Sequence, residues 1–189
     1  MGPWLLALLA LTPVARGASI RDVDFKYFSF PFAKSRFDSV PGRPRWMPIA
    51  APDRVPLHDG HYSFACADPP CDLITFDQAT FGEITGLVGE VALVTTVFHT
   101  GGTANWKYLY VVTLRAGKPK VLAWMEAGSR ADMGLRSAAT DHGDLVLVFN
   151  DPDKREGDCC STGSLTYRYR WVQGAFRQIR KPVTADNRP

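Results

Sequence analysis

Apolar and polar residues alternate along most of this chain with the period of two that sends side chains to opposite faces of a strand; the 3.6-residue period of a helix is hardly found. Near the C-terminus Leu165, Tyr167, Tyr169 and Trp171 point one way and Thr166, Arg168 and Arg170 the other, which predicts a half-buried strand. Gln173-Gly174 then turns the chain and Phe176 and Ile179 follow, so residues 165 to 178 read as a closing hairpin. Upstream, Glu90 to Phe98 is a β-branched run, Gly101-Gly102 interrupts it, and Trp106 to Leu114 resumes with alternating aromatic and aliphatic residues, as in a long central hairpin. Ala116-Gly117-Lys118-Pro119 makes the next turn and Val121 to Met125 the next strand, with Pro119 tolerated at a strand start. Asp141-His142-Gly143-Asp144 turns the chain into Leu145 to Phe149, and the succession is that of an antiparallel meander.

The opening is less regular. Phe25, Tyr27, Phe28, Phe30 and Phe32 crowd around and ahead of prolines at 31, 41, 44, 48, 52 and 56, which reads as one strand followed by a Pro-rich loop. Such rings could form a carbohydrate-binding face, but packing of an N-terminal strand onto the sheet is the expected use. The fold expected is mainly β, with a β-rich α+β variant compatible. It is an antiparallel curved sheet or open barrel with at most a short helix, opened by the Phe25 strand.

The first residues change the boundaries of that domain. Leu5 to Leu11 is apolar but too short to cross a bilayer, which takes roughly 20 apolar residues, and reads as the hydrophobic region of a signal peptide. Ala15-Arg16-Gly17 puts small residues where a signal peptidase inspects the chain, so cleavage is expected between Gly17 and Ala18, although no Lys or Arg precedes the apolar run. No cysteine follows that run, so a lipid anchor is not indicated. Residues 1–17 are therefore set apart, and 18–189 form a single secreted or periplasmic domain with an ordered core at about 22–181 and no transmembrane segment. Formal charge is +3 and Arg16 leaves with the leader, so the mature chain is close to +2, without a basic block. Neither nucleic acid nor an anionic membrane is implied as a partner.

Four cysteines fall as Cys66 and Cys71 and as the adjacent pair Cys159-Cys160. In an exported chain an even count argues for disulfides, with three connectivities open. Neither pair has the spacing of a zinc knuckle, so no metal is expected. Adjacent Cα atoms lie ~3.8 Å apart, below the ~4.4 to 6.8 Å of a relaxed disulfide, so a bond within Cys159-Cys160 would store strain and reduce readily. It would serve as a redox-active or ligand-contacting turn, or as a structural staple; two bridges pinning the Cys66–Cys71 loop onto residues 159 and 160 are the other arrangement.

Val23-Asp24-Phe25-Lys26-Tyr27-Phe28-Ser29-Phe30-Pro31, the segment Phe81-Gly82-Glu83-Ile84-Thr85-Gly86 with the hairpin after it, and Asp158-Cys159-Cys160-Ser161 leading to Tyr167-Arg168-Tyr169-Arg170-Trp171 resemble a family of uncharacterised small secreted or lipoprotein-type bacterial proteins. The family pattern is a "DFKNFTYP"-like opening, a "GDLTGDG-EEA" segment before a long hairpin, and "CCPS" or "CCPT" ahead of a "YRW" strand; most of the mature chain is covered. The resemblance implies Cys66 paired with Cys71 and Cys159 with Cys160. In the family the Asp-rich segment looks able to bind calcium, but here Gly82 to Glu90 retains only two carboxylates where calcium takes about 6 to 8 oxygen ligands, so no calcium site carries over. Ser161 stands where the family has proline.

Other chemistry is thinly marked. Histidines occur at 58, 61, 99 and 142; His58 and His61 are the close pair, in what reads as a surface turn. There is no Gly-x-Ser-x-Gly elbow, dinucleotide fingerprint or phosphate loop, nothing marks a catalytic carboxylate pair, and no cofactor is implied. Arg168, Arg170 and Trp171, joined by Arg177, Arg180 and Lys181, could contact an anionic glycan or peptide; protection and solubility of an edge strand is the competing use. The expected function is a non-catalytic binding or interaction module of the cell envelope, with an envelope glycan or protein as partner. The alternative is an enzyme or redox protein with its site around Cys159-Cys160.

Overall fold

The computed structural model describes residues 18–33, 45–47, 53–66, 72–100, 105–129, 134–156 and 160–186, with Arg45 and Cys160 as backbone only. The opening makes two 3-10 turns, Ile20–Asp22 and Phe25–Tyr27, where a strand was expected from Phe25. Ser19 and Asp24 explain this: their side chains accept from the N–H groups of Arg21 and Lys26 and draw the backbone into turns. The first strand, β1 (Ser29–Phe32), begins later. The proline-rich stretch then holds β2 (Arg45–Trp46) and β3 (Asp53–Pro56), and β4 (His61–Ser63) follows. β1 and β3 form a separate two-stranded ladder in which Pro31 faces Arg54, a setting with an open flank that tolerates a missing donor.

Four long strands come next: β5 (Leu73–Glu83), β6 (Glu90–His99), β7 (Asn105–Arg115) and β8 (Lys118–Ser129). With β2 and β4 they build a six-stranded antiparallel sheet of order β2-β8-β7-β6-β5-β4, strongly curled into a half-barrel. The chain then forms β9 (Leu135–Asp141), β10 (Asp144–Asn150), the short pair β11 (Arg155–Glu156) and β12 (Cys160–Ser161), β13 (Gly163–Val172), β14 (Ala175–Gln178) and β15 (Val183–Asp186). Their sheet runs β14-β13-β10-β9, with β15 also on β13. The expected mainly β, antiparallel, curved architecture is what the chain adopts, and among the described residues the helical elements are single 3-10 turns.

Tight turns set these registers. Ala116-Gly117 and Gln173-Gly174 each connect two strands through two residues of positive φ (50° and 73°, 50° and 83°), the twist that suits a two-residue hairpin and that glycine adopts without steric cost at the second position.

Two cores lie on opposite faces of the half-barrel. On β6 and β7, Ala92, Val94, Phe98, Tyr108, Tyr110 and Val112 face one; Val91, Leu93, Leu109 and Val111 face the other. The opening segment covers the first face with Phe25, Phe30, Phe32, Val55 and Leu57, so those crowded rings are mainly core, with Tyr27 exposed. The second sheet covers the other face with Leu145, Leu147, Phe149, Tyr167 and Tyr169. Burial on both faces is why Glu90 to Phe98 reads as nearly unbroken apolar sequence. Arg21 ties the opening to the sheet: its guanidinium donates twice to Glu90 (2.7 and 2.5 Å) and lies 4.8 Å from the centre of the Phe81 ring.

Candidate functional site

β13 is an interior strand, flanked by β10 on one side and by β14 and β15 on the other, so Arg168 and Arg170 do not guard an edge. They are already committed. Arg170 donates to Asp144 from Nε (2.9 Å) and Nη2 (3.3 Å); Arg168 reaches Asp144 from Nη1 (3.3 Å) and also pairs with Asp141. Asp144 is buried, and these hydrogen bonds, Arg170 first, hold its carboxyl below the usual carboxylate range despite its desolvation. Asp141 is lowered in the same way, chiefly by Arg168. The Arg row is therefore a rib across the β9–β10–β13 sheet.

Trp171, on the opposite face of β13, does reach a cavity. Alternation points it toward the second core, where its ring meets Phe176 edge-on at 4.9 Å, and the closing turn brings Phe176 beside it. Trp46 completes the cluster from the other sheet: it stacks on Phe176 at 4.9 Å and 15° and meets Tyr169 edge-on at 5.7 Å. Its two-residue strand is held on the edge of β8, where Met47 N–H donates to Trp124 O (2.9 Å). The result is a cleft of about 330 Å³ between the edges of the two sheets, lined by Trp46, Met47, Leu122, Ala123, Trp171 and Phe176, with Gly174, Ala175 and Arg177 at one wall. The Trp46 Nε1–H is buried without an acceptor. A concave apolar wall with a few polar groups is the usual form of a small-ligand site. Trp46 escaped the sequence reading because it sits alone among prolines, with no periodic neighbours to give it a face.

A second opening lies at the other end of the inter-sheet layer. There β5 carries an extra residue between Phe76 and Gln78, and this bulge turns the Asp77 carboxylate to accept from the Thr95 hydroxyl (2.9 Å) and pair with Lys107 (3.4 Å). His99 is beside it, with Nδ1 2.9 Å from Asn105 Oδ1 and Nε2 3.0 Å from Thr75 Oγ1. His58 and His61 bracket the Asp59-Gly60 turn, both exposed, as the sequence suggested. Among the described residues no three His, Cys, Asp or Glu side chains come together as a metal centre requires.

Cys66 takes part in a disulfide. Cys71 and Cys159 lie outside the described residues; Cys160 faces Glu156 in the β11–β12 pair. The segment from Phe81 to Gly86 closes β5 and turns toward β6: Thr85 N–H donates to Gly143 O (2.8 Å), and Gly86 has φ +90° against the Trp171 backbone. Compared with protein-family models, curated proteins and solved structures, the chain matches none.

Proposed function

We propose that this protein is an exported, non-catalytic binding module of the cell envelope and that the cleft between Trp46, Trp171 and Phe176 is its contact surface. The observation that carries this reading is the cleft itself: aromatic side chains from two sheets meet around an open volume. Aromatic anchors of this kind supply large contact area at little entropic cost. Export is proposed on the apolar Leu5 to Leu11 run with cleavage between Gly17 and Ala18, and the disulfide at Cys66 suits such a compartment. Cys66–Cys71 and Cys159–Cys160 are the bridges we propose, as the family resemblance implies.

The test is a nuclear magnetic resonance titration of the mature protein with a panel of neutral and acidic oligosaccharides and short peptides, following the Trp46 indole N–H and the amides of Gly174 to Arg177. Shifts concentrated there support the reading. Ligands that bind while those signals stay still would place the contact surface elsewhere and overturn it.

A further inference from the structure

We infer that the second opening, at the His99 end of the inter-sheet layer, is a pocket for a small neutral polyol the size of one sugar ring, a site separate from the Trp46 cleft. It is a cavity of about 440 Å³ that reaches between the two sheets: Val97, His99, Asn105 and Lys107 line it from β6 and β7, and Leu135 and Asn150 from β9 and β10. That volume lies within the range of small-molecule sites. Period two puts its walls on the same faces as the second core. On β6 and β7 the inward positions are Val91, Leu93, Leu109 and Val111 where the layer is filled, and Val97, His99, Lys107 and Asn105 where it opens. The change from apolar to polar falls where the cavity begins.

A sandwich end that is merely open to water needs polar side chains but no order among them. Here they are tied into the fold. The His99 ring lies between Thr75 Oγ1 (3.0 Å) and Asn105 Oδ1 (2.9 Å), Lys107 pairs with Asp77 (3.4 Å), which accepts from Thr95, and Asn150 Nδ2 donates to Gly134 O (3.2 Å). An amide has a donor end and an acceptor end, so Asn105 and Asn150 each use one end in this frame and keep the other for a ligand, one amide from each sheet. The lining sets the chemistry of that ligand. Lys107 is the one fixed charge among the described residues of the wall, and Asp77 balances it. An organic acid would compete with Asp77 for Lys107, and an amine would be repelled by Lys107, so a neutral ligand is favoured. Val97 and Leu135 add aliphatic surface from opposite sheets. A pyranose or a cyclitol matches this mixture: C–H faces meet the aliphatic groups, and hydroxyls, each donor and acceptor at once, meet the amides.

The probes are D-glucose, D-galactose, D-mannose and myo-inositol, with galacturonate and glucosamine as rings that carry a charge of either sign. In a nuclear magnetic resonance titration of the mature protein, at least one neutral probe should give saturable shifts at the side-chain amides of Asn105 and Asn150 and at the Leu135 backbone amide. Both charged rings should bind about tenfold or more weakly. Val97→Phe, which narrows the cavity, should abolish binding. Asn105→Ala, at an exposed strand end, should weaken it about tenfold with the melting curve unchanged, and so tests the site even where Val97→Phe disturbs the fold. The absence of saturable shifts with every neutral probe at tens of millimolar would overturn the pocket, as would a neutral probe that binds Asn105→Ala and the parent alike. Equal binding of galacturonate or glucosamine would overturn the neutral assignment. The Trp46 cleft is judged by other signals and by oligosaccharides and peptides, so the two sites stand or fall separately.

Discussion

Replacing Asp144 by Asn keeps the shape of the side chain and removes its charge at the point where two guanidiniums converge. Asp144 is the first residue of β10, directly after the His142-Gly143 turn, and its side chain is 6 % exposed, whereas Arg168 is 17 % and Arg170 50 % exposed. Hydrogen bonds to a charged partner contribute ~1.5 to 3 kcal/mol and neutral ones ~0.5 to 1.5, so a contact kept on the Asn oxygen weakens by about 1 kcal/mol, and one that falls on its NH2, a donor facing donors, is lost. Solvent at Arg170 discounts its share, and the sum over the two arginines is about 2 kcal/mol. For a domain of this size that corresponds to a melting temperature lower by ~4 to 8 °C. The pH profile gives a second reading. Because the folded Asp144 carboxyl titrates below its unfolded value, near 3.9, its stabilisation is present above that pH and is lost as pH falls through the folded value. Thermal or urea unfolding from pH 7 down to 2 should show a steeper acid limb in the parent than in Asp144→Asn. A variant within ~0.5 kcal/mol of the parent at pH 7, with an identical acid limb, would refute the view that this triad braces the second sheet.

Other outcomes follow from the two cores and the junction of the sheets. A Cβ on Gly82 would lie 1.9 Å from Thr140 Oγ1 and 3.0 Å from its Cβ, so Gly82→Ala should destabilise by about 1 to 3 kcal/mol in a denaturant titration, and Thr140→Ala in the same chain should restore part of the loss. The Tyr110 and Thr96 hydroxyls are buried without a well-formed hydrogen bond, so Tyr110→Phe should leave stability unchanged or raise it, and a loss above ~1 kcal/mol would contradict this assignment. Burial raises the folded pKa of Tyr110 and Tyr169 above the unfolded value near 10, so stability should hold below that pH and decline above it; Phe at both positions should flatten the decline. If Cys66 is bridged to Cys71, non-reducing peptide mapping should recover that pair, and Cys71→Ala should cost about 2 kcal/mol by loop entropy; an unchanged melting curve would exclude a stabilising bridge.

The central strands were legible because both of their faces are buried and leave long β-branched runs, and the closing hairpin because one face is. β5 and β9 were not seen. Leu73-Ile74-Thr75-Phe76-Asp77-Gln78 breaks its alternation at the bulge, and Arg136-Ser137-Ala138-Ala139-Thr140 has little apolar surface to alternate. The Pro-rich stretch hid β2 and β3 for a different reason: two to four residues are too few to show a period, and neighbours in space, β8 and β1, supply the pairing.

Of the candidate site, Trp171 was legible as an inward ring and Arg168 and Arg170 as an outward row, since period two is a property of consecutive residues on one strand. The same is true of the X-Gly turns, whose positive φ is a local requirement, and of the Leu5 to Leu11 run. The partners of those residues were decided elsewhere. Asp141 and Asp144 meet the arginines because β10 pairs with β13 in one register, and Trp46 meets Phe176, which Trp171 also touches, because two sheets pack face to face and bring their edges together. Those contacts join positions far apart in the chain, so no local pattern encodes them. Local periodicity chose the strands and the side each residue faces; sheet register and the stacking of the two layers chose what each face would touch.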